Sequence, residues 1–369
     1  MPVLGIETSC DETAVALVGH GRLVAERLAS QVDIHALFGG VVPEIASREH
    51  LRLLPALHEE LMAATGVSMA DIEAVAVARG PGLLGCLLVG LNFAKGLALA
   101  LSRPLIGVNH LSAHLLAGGL VGPLTFPALG LLISGGHTHL YHMRADNDLT
   151  LLGRTLDDAV GEALDKAAKL VNLPYPGGRF VDLLAAEAEP GPELFPLPYV
   201  DNRNLDFSFS GLKTAVATYV AAHPELRLRH MPLPGQAPDL ESLEFEPGQR
   251  RSLARVMSAL NQVVARVLVI KTRRALERVG PIKALVVAGG VAANSHVRRA
   301  VAELAAERGL TLHLPPPELC TDNAAMIAYA GERLLARGLV HDLALEAIPR
   351  GRRVPDDYLP QAGGRPAAP

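Results

Sequence analysis

The chain has 369 residues, with 34 Lys and Arg against 38 Asp and Glu for a formal charge of −4. That length suits roughly two domains of about 100–200 residues each, and the slight acidity excludes a protein that grips nucleic acid through an overall positive field. Three widely spaced cysteines, Cys10, Cys86 and Cys320, exclude a disulfide framework and a Cys-type zinc site and point to a reducing, cytoplasmic setting. Hydrophobic residues make up 49% but aromatics only 4%, with no Trp, so the core is expected to be aliphatic and Ala-rich, as in α/β layers. The first residues, Met1-Pro2-Val3-Leu4-Gly5-Ile6-Glu7, run straight into a strand with no basic leader. The apolar stretch 83–101 carries Lys95 and several glycines, so neither a signal peptide nor a membrane span is expected.

In chain order, residues 3–9 and 13–18 read as strands joined by a tight Ser9-Cys10-Asp11-Glu12 turn. A third strand near 22–28, a helix near 44–64 and a strand at 73–79 follow. His110-Leu-Ser-Ala-His114 then places two imidazoles four residues apart, one helical turn above each other, where both can grip one metal ion. A metalloprotease helix would need Glu after the first His, and Leu111 stands there, so the water-activating group is missing. The third ligand has its best candidate in Asp322, where a helix begins within Cys320-Thr321-Asp322-Asn323. Two His and one carboxylate would leave coordination positions open for substrate. Spacing alone also allows a surface or core coincidence.

Residues 128–134 form an apolar strand, 135–137 a turn, 138–143 and 149–154 two more strands, and 157–171 a helix. This repeats the order of the first 64 residues and suggests a duplicated architecture. Gly80-Pro81-Gly82, Ser134-Gly135-Gly136-His137, Pro176-Gly177-Gly178 and Gly289-Gly290 are small turns able to present backbone N–H groups to a phosphate or carboxylate. Gly289-Gly290 ends a buried strand at 283–288 and leads through Asn294 into a helix, a placement suited to a nucleotide. Residues 223–250 read as a loop or insertion before a long helix at 251–278, and 351–369 as a flexible tail. Arg273, Arg274 and Arg278, Arg298 and Arg299, and Arg350, Arg352 and Arg353 form local basic groups, read as solvated faces or as RNA contacts.

Taken together, the segments GIETSCDETAVALV, HALFGGVVPEIASREH, RGPGLLGCLLVGLNFAKGLALA, GVNHLSAHLLA, LLISGGHTHL, LDDAVGEALDKAAKL, YPGGRFVDLLA, DFSFSGLKTAV, VVAGGVAANSHVR and CTDNAAMIAYAG resemble the TsaD/Gcp family. These are tRNA adenosine threonylcarbamoyltransferases of the actin-like ATPase (ASKHA) superfamily, and the resemblance spans roughly residues 2–350. It implies an α/β fold of two RNase H-like lobes with a central active-site cleft. Residues 1–112 plus 322–350 would form the N-terminal lobe and 113–321 the C-terminal lobe, the latter with an insertion at 223–250. The implied reaction moves the threonylcarbamoyl group from threonylcarbamoyl-adenylate to the exocyclic amine of adenosine at position 37 of tRNAs reading codons that start with A, releasing AMP.

Position by position, the resemblance implies that His110, His114 and Asp322 hold one divalent metal ion, iron favoured and zinc possible, with Mg accompanying nucleotide. It implies donor contacts from Leu132, Ile133, Ser134, Gly135 and Gly136, ribose-side contacts from Asp165, Gly178 and Asp182, and an adenine-side contact from Asn294. Asp11 and Glu12 are the candidates for a base or for ordering the phosphate region. The implied partners are tRNA, a TsaB-like paralogue and a TsaE-like ATPase, with no membrane. Arg179-Phe180-Val181 departs from the Pro and small apolar residues of many relatives, and 223–250 is longer than the usual connection. Two other classes share parts of this pattern: a metallopeptidase, against which Leu111 speaks, and a small-molecule kinase of the same superfamily, for which a His-His-Asp set is unnecessary.

Overall fold

Two apolar runs, VLGIE and ALGLLI, each become the first strand of a five-stranded sheet. The computed structural model describes residues 1–188, 191, 193–230 and 239–361. The chain opens with β1 (Val3–Glu7), β2 (Glu12–Gly19), β3 (Arg22–Ser30), α1 (Val32–Ala36), α2 (Pro43–Thr65), β4 (Ala74–Gly80), α3 (Leu84–Leu101), β5 (Leu105–Asn109) and α4 (His110–Leu116). It continues with β6 (Ala128–Ile133), β7 (Thr138–Ala145), β8 (Asp148–Arg154), α5 (Val160–Leu170), α6 (Gly177–Ala185), α7 (Ser210–Ala222) and α8 (Gln249–Arg278). Last come β9 (Ala284–Ala288), α9 (Ser295–Glu307), β10 (Thr311–His313), α10 (Ala324–Leu335), β11 (Leu339–Val340) and β12 (Leu359–Pro360). The described residues divide into two units, one of Met1–Gln31, Val41–Leu124 and the residues from Asp322 on, the other of Val32–Gly40 and Thr125–Thr321.

The first unit is built on the sheet β3-β2-β1-β4-β5, in which β1 pairs antiparallel with β2 and parallel with β4. The strand period of two sends Leu4, Ile6, Val15 and Val77 into a core shared with Leu54 and Leu61 of α2 and Leu91 of α3. The other face receives α10. Gly5 makes that approach possible, because a Cβ there would lie 2.4 Å from Ala324 O and 2.6 Å from Ala328 N, and Gly331 sits equally close to Ala76. The edge strand β3 carries exposed residues along its length, whereas β1 and β4 are buried throughout. Residues 351–361, expected as the start of a tail, are built into this unit: Asp357 pairs with the buried Arg79, and β12 pairs with β11. Residues 362–369 lie outside the described residues.

The second unit repeats the topology, with order β10-β9-β6-β7-β8 and the same antiparallel and parallel pairings. Its core joins Leu131 and Leu140 of the sheet to Leu164, Phe180 and Leu260 of the helices. Phe180, one of the departures from the family pattern, therefore packs inward from a helix rather than shaping a loop. Residues 223–250 are not a bare loop: Leu226, Leu228, Leu240 and Leu243 are buried in the same core. Gln249 donates to the carbonyls of Glu225 and Arg227 at 2.7 and 2.9 Å. These leucines are irregularly spaced, so no helix or strand period announces them; residues 231–238 lie outside the described residues. Several arginines of the basic groups serve the fold, with Arg274 donating to the carbonyls of Asn202 and Val200 and Arg273 pairing with Glu307. Two helices, α3 and α8, are long and apolar enough to cross a membrane by length and composition; α8 is mostly buried in its own unit's core.

Gly5→Ala should destabilise the protein by about 1–3 kcal/mol or more through overpacking between β1 and α10, measured by denaturant unfolding. Gly96→Ala, in α3 with nothing within 4 Å of the new Cβ, should instead stabilise by up to about 1 kcal/mol.

Candidate metal centre and donor-side residues

Asn109 ends β5, and its side chain accepts from Leu111 N at 3.0 Å and Ser112 N at 3.4 Å. This cap starts α4 at His110, so His110 and His114 lie one turn apart on one face, with ring centroids 4.6 Å apart and both rings buried. Asp322 comes from the other end of the sequence, immediately before Asn323, whose side chain caps α10 by accepting from Met326 N at 2.8 Å. Glu26 of β3 takes the next two amides, Ala324 N at 2.7 Å and Ala325 N at 3.1 Å. Asp322 Oδ1 lies 3.0 Å from His114 Nε2 and 3.6 Å from His110 Nε2, and three donor atoms of the group fall within 4.8 Å of one another.

A divalent ion held at about 2.0–2.2 Å by imidazole and carboxylate keeps its ligand atoms little more than 3 Å apart, so the set fits one. The chemistry of the donors agrees, since neutral imidazole and carboxylate suit zinc or iron. His114 Nδ1 is buried with no hydrogen-bond partner among the described residues, which leaves Nε2 as the nitrogen this ring brings to the group. Burial alone would lower the His110 imidazole, but the Glu7 and Asp322 carboxylates beside it outweigh that and raise it to about 9. A cation taken up there would displace that proton.

The turn between β1 and β2 is braced on several sides. Thr8 Oγ1 donates to Cys86 O at 2.9 Å, Leu83 N donates to Ser9 O at 2.9 Å, and His50 Nε2 of α2 lies 3.0 Å from Cys10 O. Gly82 permits the contact with Ser9, for a Cβ there would lie 2.7 Å from Ser9 O. The turn places Asp11 and Glu12 within the field of Asp322. Burial, then the carboxylates of Asp11 and Asp322, push Glu12 well above the usual range, and the same causes raise the Cys10 thiol.

The second unit gathers the other candidates. Leu132 and Ile133 are buried at the end of β6, paired with His139 and Thr138 of β7, so neither side chain faces a ligand. Ser134 N donates to His137 O at 2.8 Å, closing the turn, and Gly135 borders open space on its Cβ side. Gly161 packs against Gly135, and Gly289, at φ 92°, packs against Ile133 O; a side chain at either position would block the approach. Asp165 Oδ1 accepts from Gly178 N at 2.9 Å. Asp182, one turn after Gly178 in α6, accepts from Ser295 N, from Ser295 Oγ at 2.8 Å and from Asn261 Nδ2 at 3.2 Å. Asn294 Oδ1 caps α9 through His296 N and Val297 N, both at 3.1 Å, while its Nδ2 is buried without a partner among the described residues.

The sequence patterns do not single out Glu7, Ser9, Asn261 or Ser295. Glu7 and Ser9 lie inside the GIETSCDETAVALV segment, where their roles depend on contacts with α4 that spacing does not reveal. Asn261, buried in the middle of a helix, carries a faint signal, since a polar side chain in such a place is expected to serve a partner.

Two units of like sheet topology define an actin-like ATPase fold. Among solved structures, the Acidaminococcus fermentans (R)-2-hydroxyglutaryl-CoA dehydratase component A is 15% identical, with TM-score 0.52 over 91% of this chain and 99% of that one. T. kodakarensis HypF is 13% identical, with TM-score 0.54 over 95% of this chain and 48% of that one. Residues 22–329 match the TsaD family, described as tRNA N6-adenosine threonylcarbamoyltransferase. Curated relatives bearing that name include one from Solidesulfovibrio magneticus, 58% identical over 100% of this chain and 98% of its own length. Another, from Trichlorobacter lovleyi, is 49% identical over 94% and 95%. The chain belongs to the TsaD family.

His110→Ala, His114→Ala and Asp322→Ala should each lose bound metal in elemental analysis of the purified protein while keeping a folded circular dichroism spectrum. Full metal content in all three would contradict the assignment.

Proposed function

We propose that the donor is threonylcarbamoyl-adenylate and the acceptor the exocyclic amine of adenosine at position 37 of tRNAs reading codons that start with A, with AMP released. The chain is a tRNA N6-adenosine threonylcarbamoyltransferase, as its family and its full-length relatives establish. The observation that carries the finer reading is the convergence of His110, His114 and Asp322 on one point, without the Glu that a peptidase helix would use to activate water.

The donor is a mixed anhydride, so its carbonyl is already activated. The amine nitrogen forms a bond to that carbon, the bond from carbon to phosphate oxygen breaks, and the electron pair leaves with AMP. What remains for the protein is alignment of the amine, removal of its proton and accommodation of charge on the phosphate. His110, His114 and Asp322 would hold one divalent ion, iron or zinc, with Mg accompanying nucleotide; when bound, the ion supplies positive charge to the phosphate. Asp11 and Glu12 are the candidate proton acceptors. The turn from Leu132 to Gly136 would offer backbone N–H groups to the acyl or phosphate oxygens. Asp165, Gly178 and Asp182 would meet the ribose, with Asp182 already steadied by Ser295 and Asn261. The Asn294 carbonyl is used in capping, so its unpartnered Nδ2 is the group that would reach an adenine ring nitrogen.

The proposed partners are a TsaB-like paralogue and a TsaE-like ATPase, in the cytoplasm. The outer face of α2 and α3 supports a protein partner, since Leu51 is 68% and Leu88 42% exposed beside an apolar groove of about 340 Å³ lined by Leu54, Val89 and Phe93. An apolar stripe of this kind on paired helices suits another helix pair.

The deciding experiment supplies the protein and its partners with labelled threonylcarbamoyl-adenylate and unmodified tRNA, and looks for the modified nucleoside by mass spectrometry. Product should form on tRNA carrying adenosine at position 37 and vanish when guanosine replaces it. Absence of product with all partners present, or ATP-dependent phosphorylation of a metabolite without tRNA, would favour a kinase instead. The double variant Leu51→Glu/Leu88→Glu should lose association with the paralogue in size-exclusion chromatography; unchanged co-elution would place that partner elsewhere.

A further inference from the structure

We infer that Glu7 is a positioning residue for the metal centre, holding a hydrogen on His110 Nδ1 and so turning Nε2 toward Asp322 and His114 as the nitrogen that ligates. The inference rests on the reading of His110, His114 and Asp322 as metal ligands. Glu7 is the last residue of β1, is 0% exposed, and is fixed by register opposite Ala14. Its two carboxylate oxygens have different tasks. Oε1 accepts from Ser9 N, and Oε2 lies 2.9 Å from His110 Nδ1. An ionised carboxylate only accepts hydrogen bonds, so the hydrogen between Oε2 and the ring belongs to Nδ1. Ser9 Oγ sits 3.3 Å from the same nitrogen and steadies the ring from a second direction.

Nε2 is then the nitrogen left to meet a cation, and it faces Asp322 Oδ1 at 3.6 Å. This is the carboxylate–imidazole–metal arrangement in which the outer acceptor sets both tautomer and ring angle. The two histidines are held unequally. His114 Nδ1 has no partner among the described residues, so His110 is the anchored ligand and His114 the adjustable one. A buried carboxylate is costly unless it is paired and hydrogen-bonded, and the bonds that compensate Glu7 are the ones that orient His110.

The chemistry singles out one substitution. Glu7→Gln keeps shape and volume but has a single acceptor oxygen for two N–H groups, those of Ser9 and His110. If the amide NH2 faces His110, Nδ1 must become the acceptor, which moves the ring hydrogen to Nε2 and blocks ligation. If it faces Ser9, two donors confront each other.

Zinc dissociation constants from competition with a chromophoric chelator provide the test, on wild type, Glu7→Gln, Glu7→Asp and Ser9→Ala. Glu7→Gln should bind zinc about 10–100-fold more weakly, Ser9→Ala within a few-fold of wild type, and Glu7→Asp in between because a carboxylate is retained. Nitrogen NMR of zinc-loaded wild type, which needs no substitution, should find the His110 hydrogen on Nδ1. Wild-type affinity in a folded Glu7→Gln, or ligation through Nδ1, would overturn the inference. Failure of the wild type itself to bind zinc or iron would overturn the metal-centre reading and the inference with it, and is distinguished because it precedes any comparison of variants.

Discussion

The place of one carboxylate, Asp322, depends on how closely α10 can lie on β1. The residue stands two positions before that helix and more than two hundred positions from the histidines it must meet, so no local preference can bring them together. The helix is brought down by missing side chains, Gly5 on the strand and Gly331 on the helix. Its start is then fixed by Asn323 from within and Glu26 from a neighbouring strand. On the other side of the site, Asn109 sets where α4 begins and therefore which face His110 and His114 share. Backbone packing and two helix caps thus determine where the three donor atoms meet.

Charge gives the site its second character. Glu7 and Asp322 meet the His110 imidazole, Asp322 also meets His114, and Glu12 lies in the field of Asp11 and Asp322. Such an arrangement resists full ionisation, and the protonation pattern reflects it: burial lowers His110 but the Glu7 and Asp322 carboxylates outweigh it and push the imidazole up, whereas burial and the Asp11 and Asp322 carboxylates together push Glu12 up. Positive charge arriving among the His110, His114 and Asp322 donor atoms would relieve the same strain. The second unit works differently, offering backbone N–H groups, amides and carboxylates that are steadied by their neighbours.

The strands and helices that enclose these residues were readable because their patterns are regular. β1, β2 and β3, the turn at Ser9–Glu12, the strand ending at Gly289 and the capped helix after Asn294 all fall close to where period and turn chemistry place them. The His110–His114 pair was visible from spacing, and Asp322 from its place at a helix start. What could not be read was long-range. Glu7 meets His110 only because α4 follows the last strand of the sheet that β1 centres. Asn261 meets Asp182 across two helices, and the leucines between 226 and 243 join the core without any period. Asp357 reaches the buried Arg79 from a segment whose composition reads as a tail.

In the reading proposed above, transfer to tRNA depends on one divalent ion held by His110, His114 and Asp322. The most direct measurement strips the purified protein with a chelator, restores iron or zinc in steps, and follows bound metal per chain together with the rate of transfer in the presence of the partner proteins. Rate rising in proportion to occupancy, and levelling at one ion per chain, is the result expected. Full transfer by protein that carries no metal would contradict it.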